Sequence, residues 1–549
     1  MALRHIIICI CLLLTGASLE AHQLLIRSQE DFDRMDQEIH QRMAAGEYHI
    51  DVQFLPGDYY YRDNHLRFEG MDCAELSLAL NGNGARLIGQ GPDYRLMRKG
   101  REYIASYKEP FDYTHGFVDP DSGRNFDFRT PVRQAKKRPE VVDRESGLCR
   151  MQTGEAPLSE ADAADAWILL TQWFRGMVYK VVKIERGYVY FHSDHAGDKS
   201  TAAFDIDADY HFGKSRPRYI LFNQKTGASP YIRKGEIHLR QKVQRLHECV
   251  SSRFLLISGS RLGHFSMNGF SFLGNGGKDE LMKIYRSESA EFTIRNCVFD
   301  SIRSDVVVAY FSPHLSFTGN VLRRTYRNGV VVGYGTDDSE ISGNRFYDTG
   351  VLPDNVVCVR NMASRTHIAD NLFEDFSYGA IISGIHYTET MSSSCSAVIE
   401  RNEVYQTAAF RRSRRMLMDS GAIYTTTISQ GQVIRNNYVH DIDGPCGNRG
   451  IFLDDGAVCL EIYDNLVLRI ANDYCIDSRR VRWVETHPRT QITRVNVNNY
   501  IGNNQVDGKV RFQGRGGDDG CRKAPNVVLS TVEEKKEAAL RWRETCSMQ

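Results

Sequence analysis

The chain has 549 residues and a mass of 62.5 kDa, beyond the roughly 250–300 residues at which a single globular core stops growing. It is therefore either several domains or one elongated array that grows by stacking. Lys+Arg and Asp+Glu both number 69, so charge balance argues against a nucleic-acid partner and against an acidic solvating tail, while 42% hydrophobic and 10% aromatic content excludes intrinsic disorder.

The first segment, 1–21, reads as a secretory signal. Arg4 and His5 precede an apolar run from Ile6 to Leu14, followed by Gly16, Ala17 and Ser18, the order of charge, short apolar core and small residues that marks a cleaved leader. No later stretch approaches the eighteen apolar residues of a membrane span, so the expectation is an exported protein, periplasmic or secreted, with no integral membrane segment after processing. Of thirteen cysteines, Cys9 and Cys11 lie in the leader, leaving eleven. None forms a CxxC pair, so a zinc site is not expected, and Cys297, Cys358 and Cys475 stand in apolar strand-like runs where a thiol acts as a small hydrophobe. The expectation is mostly buried free thiols.

Residues 22–91 are expected to hold an N-terminal cap helix and the first coils of the array. Ser28 and Asp31 resemble a capping box, and Phe32, Met35, Ile39 and Met43 recur at helical spacing. Strand character follows over Val52–Tyr61 around Pro56-Gly57, and again over Leu76–Gly89 with a turn at 81–84. Residues 92–250 break this pattern with strand-like runs at Ala166–Gln172, Met177–Ile184, Tyr188–His192 and Tyr219–Phe222. This segment is expected to be an inserted β-rich, sandwich-like domain.

Residues 251–529 carry an internal repeat: an apolar residue, two others, Asn, one other, then Phe or Val. Its Asn positions are 268, 296, 320, 344, 371, 402, 437 and 465, at intervals of 24 to 35. That period is shorter than the roughly 40–45 residues of a propeller blade. A second element follows the later Asn residues: Gly329-Val-Val-Val, Gly379-Ala-Ile-Ile, Gly421-Ala-Ile-Tyr and Gly450-Ile-Phe-Leu. Short strands closing a coil of this size predict an all-β parallel β-helix. Each Asn would occupy one turn position, bonding the neighbouring coil and tolerating left-handed backbone angles. Residues 530–549 predict a charged helix that caps the last coil.

The chemistry is expected where out-facing carboxylates stack. Numbered from Gly450, Asp454 falls at an out-facing fourth position. A coil begun eight residues after Asn465 puts Asp473 at the glycine position and Asp477 at the fourth, about 4.8 Å from its neighbour. Carboxyl groups about 5–5.5 Å apart serve retaining glycosidases, and such a pair separates into an ionised and a protonated member. Asp419 is the third candidate, although extended strand geometry would leave it about 20 Å along the strand from Asp454. Asp455, Tyr424, His440, Arg449, His386 and Arg479 are candidates to bind substrate, with Arg480 beside them. For His440 and Asp441 a structural hydrogen-bonding role at a turn is the competing reading.

The runs Asp419-Ser-Gly-Ala-Ile-Tyr, Val433-Ile-Arg-Asn-Asn-Tyr-Val-His-Asp-Ile442 and Gly450-Ile-Phe-Leu-Asp-Asp-Gly456 resemble right-handed β-helix glycoside hydrolases of families 141 and 120. The resemblance is concentrated over about 395–480 and diffuse over 50–90 and 250–395. It implies a β-sandwich interrupting the β-helix, a retaining two-carboxylate mechanism without metal or other cofactor, and a plant-type polysaccharide or oligosaccharide substrate such as pectin or xylan side chains. It also implies functional roles for Asp419 and Asp454. Family 120 favours Glu as the acid/base, where this chain offers Asp477, and the Arg-rich stretch Arg411–Arg415 before Asp419 is a further departure. A polysaccharide lyase on the same scaffold and a non-catalytic glycan-binding β-helix are the alternative functions.

Overall fold

The computed structural model describes residues 22–546 except 138, 144, 154–164, 173–174, 194–216, 224–229, 244, 385–394, 427–430, 445–447, 455–456, 473, 479–482, 488–489, 495–497 and 513–520. The proposed leader lies outside these residues, as do Asp455, His386, Arg479, Arg480 and Asp473.

Three long parallel sheets run along the molecule, of thirteen, twelve and eleven strands. They are called here the first, second and third sheets. Each coil contributes a strand to each in that order: Glu288–Arg295, Val298–Asp300 and Val307–Tyr310 in one coil pair with Leu315–Thr318, Val321–Thr325 and Val330–Val332 in the next. The chain is thus a parallel β-helix. Its in-facing side chains, among them Phe292, Phe299, Val307, Phe317 and Phe346, form one continuous buried core along the axis.

The turn between the first and second sheets hardly varies. From Asn296-Cys297 to Asn503-Asn504 it has two residues in every coil. The leading one is left-handed, as Asn296, Gly319, Gly343, Asp370, Arg401, Asn436, Asp464 and Asn503 all show. From the coil of Asn320 onward the other is a buried Asn. Asn344 sends both its backbone N–H and its side-chain Nδ2 to Oδ1 of Asn371, at 2.9 and 3.0 Å. Asn371 does the same to Asn402, Asn402 to Asn437 and Asn437 to Asn465. The ladder continues past the repeat read from the sequence, to Asn504 and Asn526. Two expectations change here. The left-handed angle belongs to the residue before each ladder Asn from Asn320 to Asn504. Asn268 and Asn296 also stand outside the ladder, because Cys297 occupies its position and donates its N–H to Asn320 Oδ1 at 2.9 Å.

At the N-terminus Ser28 caps the helix Gln29–Ala44 by accepting from the Asp31 N–H, and the helix buries Phe32, Met35, Ile39 and Met43 against the first coils. Strands Gly57–Tyr61, Asp72–Asn81 and Ala85–Gly89 complete those coils. The next coil begins at Leu255, which pairs with Leu66. Between them, residues 93–249 form three antiparallel sheets of four, seven and four strands. This unit emerges from the turn between the second and third sheets and rests on later turns of the same kind. Gly176 donates its N–H to Asp354 at 3.0 Å, and a Cβ there would lie 2.1 Å from the Pro353 carbonyl, so the backbones meet at contact distance. The C-terminal helix Val532–Cys546 does not cross the last coil as expected. It packs on the flank against Tyr438, Leu466 and Leu468, anchored by Trp542 Nε1 on the Asn436 carbonyl at 2.7 Å. The ten described cysteines from Cys73 to Cys546 are free thiols, with Cys297, Cys358 and Cys475 fully buried. Among the described residues no helix is long and apolar enough to cross a membrane.

Two measurements test this framework. Replacing Asn371 by Ala leaves the buried N–H groups of Asn344 without their acceptor, and each such group costs about 1–3 kcal/mol. Urea unfolding of Asn371→Ala should therefore show a loss of at least that size, whereas a midpoint equal to wild type would mean the ladder carries no stability. The second concerns Glu400, on the outer side of the first sheet. Burial alone would raise its pKa, but hydrogen bonds from Arg435, His367 and Arg401 outweigh it and hold it at about 2. The folded value lies below the unfolded value of about 4.3, so its contribution is full above about pH 4.3 and is lost as pH falls towards 2. Glu400→Gln should be less stable at neutral pH and show a flatter acid limb across that window.

Candidate active site

The outer side of the third sheet holds the candidate residues. Ile423, Ile451, Leu453 and Ile476 point into the core, so the alternating residues Tyr424, Phe452, Asp454 and Asp477 point out. Tyr424 and Phe452 stack at 4.9 Å between ring centroids and join Tyr378, Ile382 and Leu417 in a separate buried cluster. This side of the sheet is covered by the turns that lead into it.

Asp454 ends the strand Arg449–Asp454 and is 5% exposed. The Tyr424 hydroxyl donates to its Oδ2 at 2.8 Å. Asp419 lies in the turn before the strand Gly421–Thr426 and is left-handed, with φ of 54°. Its backbone carbonyl accepts from the Tyr378 hydroxyl at 3.2 Å, and its Oδ1 accepts from Arg449 Nη1 at 2.8 Å. Burial, then the nearby Asp419 and Asp454 carboxylates, push the Tyr378 phenol well above its ordinary pKa. Tyr378 therefore stands within electrostatic reach of both.

Arg449 is the hinge of the arrangement. Its guanidinium lies 3.8 Å from the Phe452 ring centroid and bonds Asp419 through Nη1 and Asp477 through Nε, the latter at 3.0 Å. Asp477 is fully buried. It also takes a two-point contact from Arg511, Nε to Oδ1 at 2.8 Å and Nη2 to Oδ2 at 2.6 Å, and this bonding raises the Arg511 pKa. Arg511 in turn sits 3.8 Å over the Tyr474 ring. Both Asp477 oxygens are thus held by guanidinium groups.

The stacking of Asp477 on Asp454 is not what the structure has. Asp477 pairs with Phe452, and Asp454 with Thr426. Two one-residue differences account for the error: Arg449, not Gly450, stands opposite Gly421, and the turn after Asn465 is one residue longer than the one after Asn371. One strand spacing and two steps along the strand put the two Cα atoms about 8 Å apart, on the diagonal. Asp419 is left-handed and reaches Arg449, at the start of the strand that Asp454 ends. Tyr424 and Arg449 belong to the site. His440 does not: it lies on the second sheet, between Glu403 Oε1 at 3.2 Å and Asp441 Oδ2 at 2.7 Å. There it joins Arg469 and Arg543 under the C-terminal helix. Tyr378, Phe452, Tyr474 and Arg511 were missed. The signal for Arg511 is its register opposite Asp477, which becomes visible only once the turn lengths are known. Among the described residues no group of three His, Cys, Asp or Glu side chains is placed to hold a metal ion.

Residues 283–467 match the family model described as a right handed beta helix region. Among solved structures, one titled a glycoside hydrolase superposes with a TM-score of 0.60 at 11% identity, covering 94% of this chain and 98% of its own. A complex of XylC with xylose gives 0.39 at 10% identity, with 92% and 82% covered. The A-module of the Azotobacter vinelandii mannuronan C-5 epimerase AlgE4 gives 0.33 at 13%, with 51% and 84% covered. No curated protein sequence matches the chain. The fold is thus the right-handed parallel β-helix, of the kind seen in the structure titled a glycoside hydrolase.

The geometry separates the fully buried, doubly paired Asp477 from the partly exposed Asp419 in a measurable way. Asp477→Asn leaves Arg449 and Arg511 short of a buried counter-charge, and breaking one side of such a pair costs about 3–5 kcal/mol. Asp419→Asn, at a position whose side chain is 21% exposed, should cost far less. Thermal unfolding of the two variants compares them directly, and equal losses would contradict this division.

Proposed function

We propose that the protein is an exported glycoside hydrolase acting on a plant-type polysaccharide or oligosaccharide. In this reading Asp454 and Asp419 are its two working carboxylates and the mechanism is retaining. The observation that carries the reading is the Asp419–Arg449–Asp477–Arg511 chain beside the Tyr424–Asp454 contact. It fixes two carboxyl groups on one side of the sheet while a third, Asp477, is committed to holding the arginines. Pre-positioned carboxyl groups on rigid strands and their edges are what glycosidic cleavage needs.

In the first step Asp454 attacks the anomeric carbon as the glycosidic C–O bond breaks, and Asp419 gives its proton to the departing oxygen. In the next step Asp419 takes a proton from water, whose oxygen attacks the same carbon and releases Asp454. Tyr424, donating to Asp454 Oδ2, orients the attacking carboxylate, and Arg449 orients Asp419. Tyr424, Phe452 and Tyr378 form a buried aromatic cluster behind them that holds the strands and the Tyr424 hydroxyl in place. The Asp477 of the sequence reading becomes a positioning residue, with Asp419 in its place as acid/base.

Asp454→Asn keeps the shape and removes the nucleophile, so turnover of pectin- or xylan-derived oligosaccharides should fall by at least about a thousandfold, with unchanged circular dichroism. Near wild-type turnover would reject the assignment. Azide added to Asp419→Ala should give a glycosyl azide of retained configuration, and added to Asp454→Ala one of inverted configuration; the reverse pattern exchanges the two roles. Release of an unsaturated uronide, seen by ultraviolet absorbance, would select the lyase alternative instead.

A further inference from the structure

Between the seven-stranded antiparallel sheet of 93–249 and the turn that carries Asp419 lies a cleft of about 360 Å³, within the range of pockets that take small ligands. Its charged lining is Arg133 and Arg218 from the antiparallel sheet, Arg411 and Arg414 from the turn, and one carboxylate, Asp443; Met416 completes the floor. Four guanidinium-bearing side chains thus line the cleft beside one lining carboxylate. Nearby, Arg415 is paired with Asp348 and Arg129 with Asp127.

Arg411 has its own carboxylate, Asp441, at 3.0 Å. Arg218 donates only to the backbone carbonyl of Arg414, and among the described residues no carboxylate pairs with either Arg218 or Arg414. Burial first, and then the neighbouring Arg414, push the Arg218 pKa down to about 10. Such a concentration of partly buried positive charge is costly in an empty protein and is relieved by an anion.

The cleft adjoins the candidate active site. Met416 lies three residues before Asp419. Asn448, next to Arg449, donates Nδ2 to the Leu417 carbonyl at 3.1 Å, and a Cβ on Gly444 of the cleft wall would strike that same Nδ2. The cleft and the Asp419–Arg449 pair are thus joined through Met416 and Asn448.

We infer that this cleft is a subsite for a sugar bearing an anionic substituent, a uronate carboxylate or a sulfate ester, so that the glycan presented to Asp419 and Asp454 is acidic. The inference rests on the hydrolase reading for its link to turnover, but the binding it requires stands alone. Planar guanidinium groups converging from two sides match the oxygens of either anion at two points. The four arginines come from two separately folded parts of the chain, so the site exists only when the antiparallel unit is docked.

The test is calorimetric titration of full-length Asp454→Asn protein with three probes: oligogalacturonides, sulfated galacto-oligosaccharides and neutral xylo-oligosaccharides. Anionic probes should bind more tightly than the neutral one and weaken as salt is raised. Arg218→Gln and Arg414→Gln, made separately in that background, should each lower the anionic affinity about tenfold or more. Arg414 is exposed, so its substitution leaves folding intact even if that of Arg218 does not. Tighter binding of the galacturonides assigns the carboxylate, and tighter binding of the sulfated probe assigns the sulfate. Neutral binding as tight as anionic, no binding of either anion, or anionic binding indifferent to both substitutions would overturn the proposal. Undiminished turnover by Asp454→Asn removes the hydrolase reading instead, and the Arg218 and Arg414 titrations still decide the cleft.

Discussion

The two-residue turn between the first and second sheets is the constraint on which the rest depends. A left-handed residue reverses the chain and the Asn after it spends its amide on the next coil. Its Oδ1 receives one coil's N–H groups while its Nδ2 reaches further along the column. A turn whose backbone bonds are all consumed by its neighbours cannot change length without leaving buried polar groups unpaired. Two of the three sheets are therefore locked in register along the whole column.

All variation in coil length is pushed to the other turns, and most of what distinguishes this molecule follows. The turn between the second and third sheets holds two residues before Gly379 but fifteen before Gly421. At one coil it holds the entire segment from 90 to 254. Because coils stack, these outgrowths come from one edge of the third sheet and meet one another there. Arg129 and Arg218 of the antiparallel unit reach the Val351 and Arg414 carbonyls, each in a different coil's turn. The outer side of the third sheet is thereby enclosed, and carboxylates there are buried next to aromatic rings instead of standing in open water. Burial makes pairing obligatory. That is why Asp477, at the centre, carries two arginines, and why Arg449 can extend the same charge pairing to Asp419.

How much of this was legible in the sequence tracks the range of the interaction concerned. The Ser28-capped helix, the strands of the antiparallel unit and the Asn-bearing turns rest on patterns of residues within a few positions of one another, and each is found where the pattern puts it, the turns from Asn320 onward. The stacking of Asp477 on Asp454 depends on counting through two turns whose lengths obey no local rule, and a one-residue difference at each moved Asp477 opposite Phe452. The C-terminal helix has an identifiable pattern, but its docking place is set by Trp542 finding the Asn436 carbonyl over a hundred residues away. Asp419 and Asp454 were picked out by the motifs around them. Arg511 stood in no motif, because its role comes only from lying opposite Asp477. His440 drew attention as a histidine beside an aspartate; its place on the second sheet follows from the same Asn count that located the coils, and it puts the residue on another side of the column.

One consequence concerns where such a molecule can change. The fifteen residues before Gly421 hold Asp419 at one end and Arg411, Arg414 and Met416 in the middle, so the Asp419 carboxyl and two arginines of the cleft are carried on one excursion of chain. Its base is fixed by strand pairing, Ile423 with Ile381 on one side and Gly421 with Arg449 on the other, and its tip by the antiparallel unit. Substitution or lengthening at the tip alters the charge offered to a ligand without disturbing Asp419, because the Arg449 contact is made at the base. The Asn ladder, across the column, experiences none of it. A scaffold that confines register to one edge can vary the turns at another while keeping its fold.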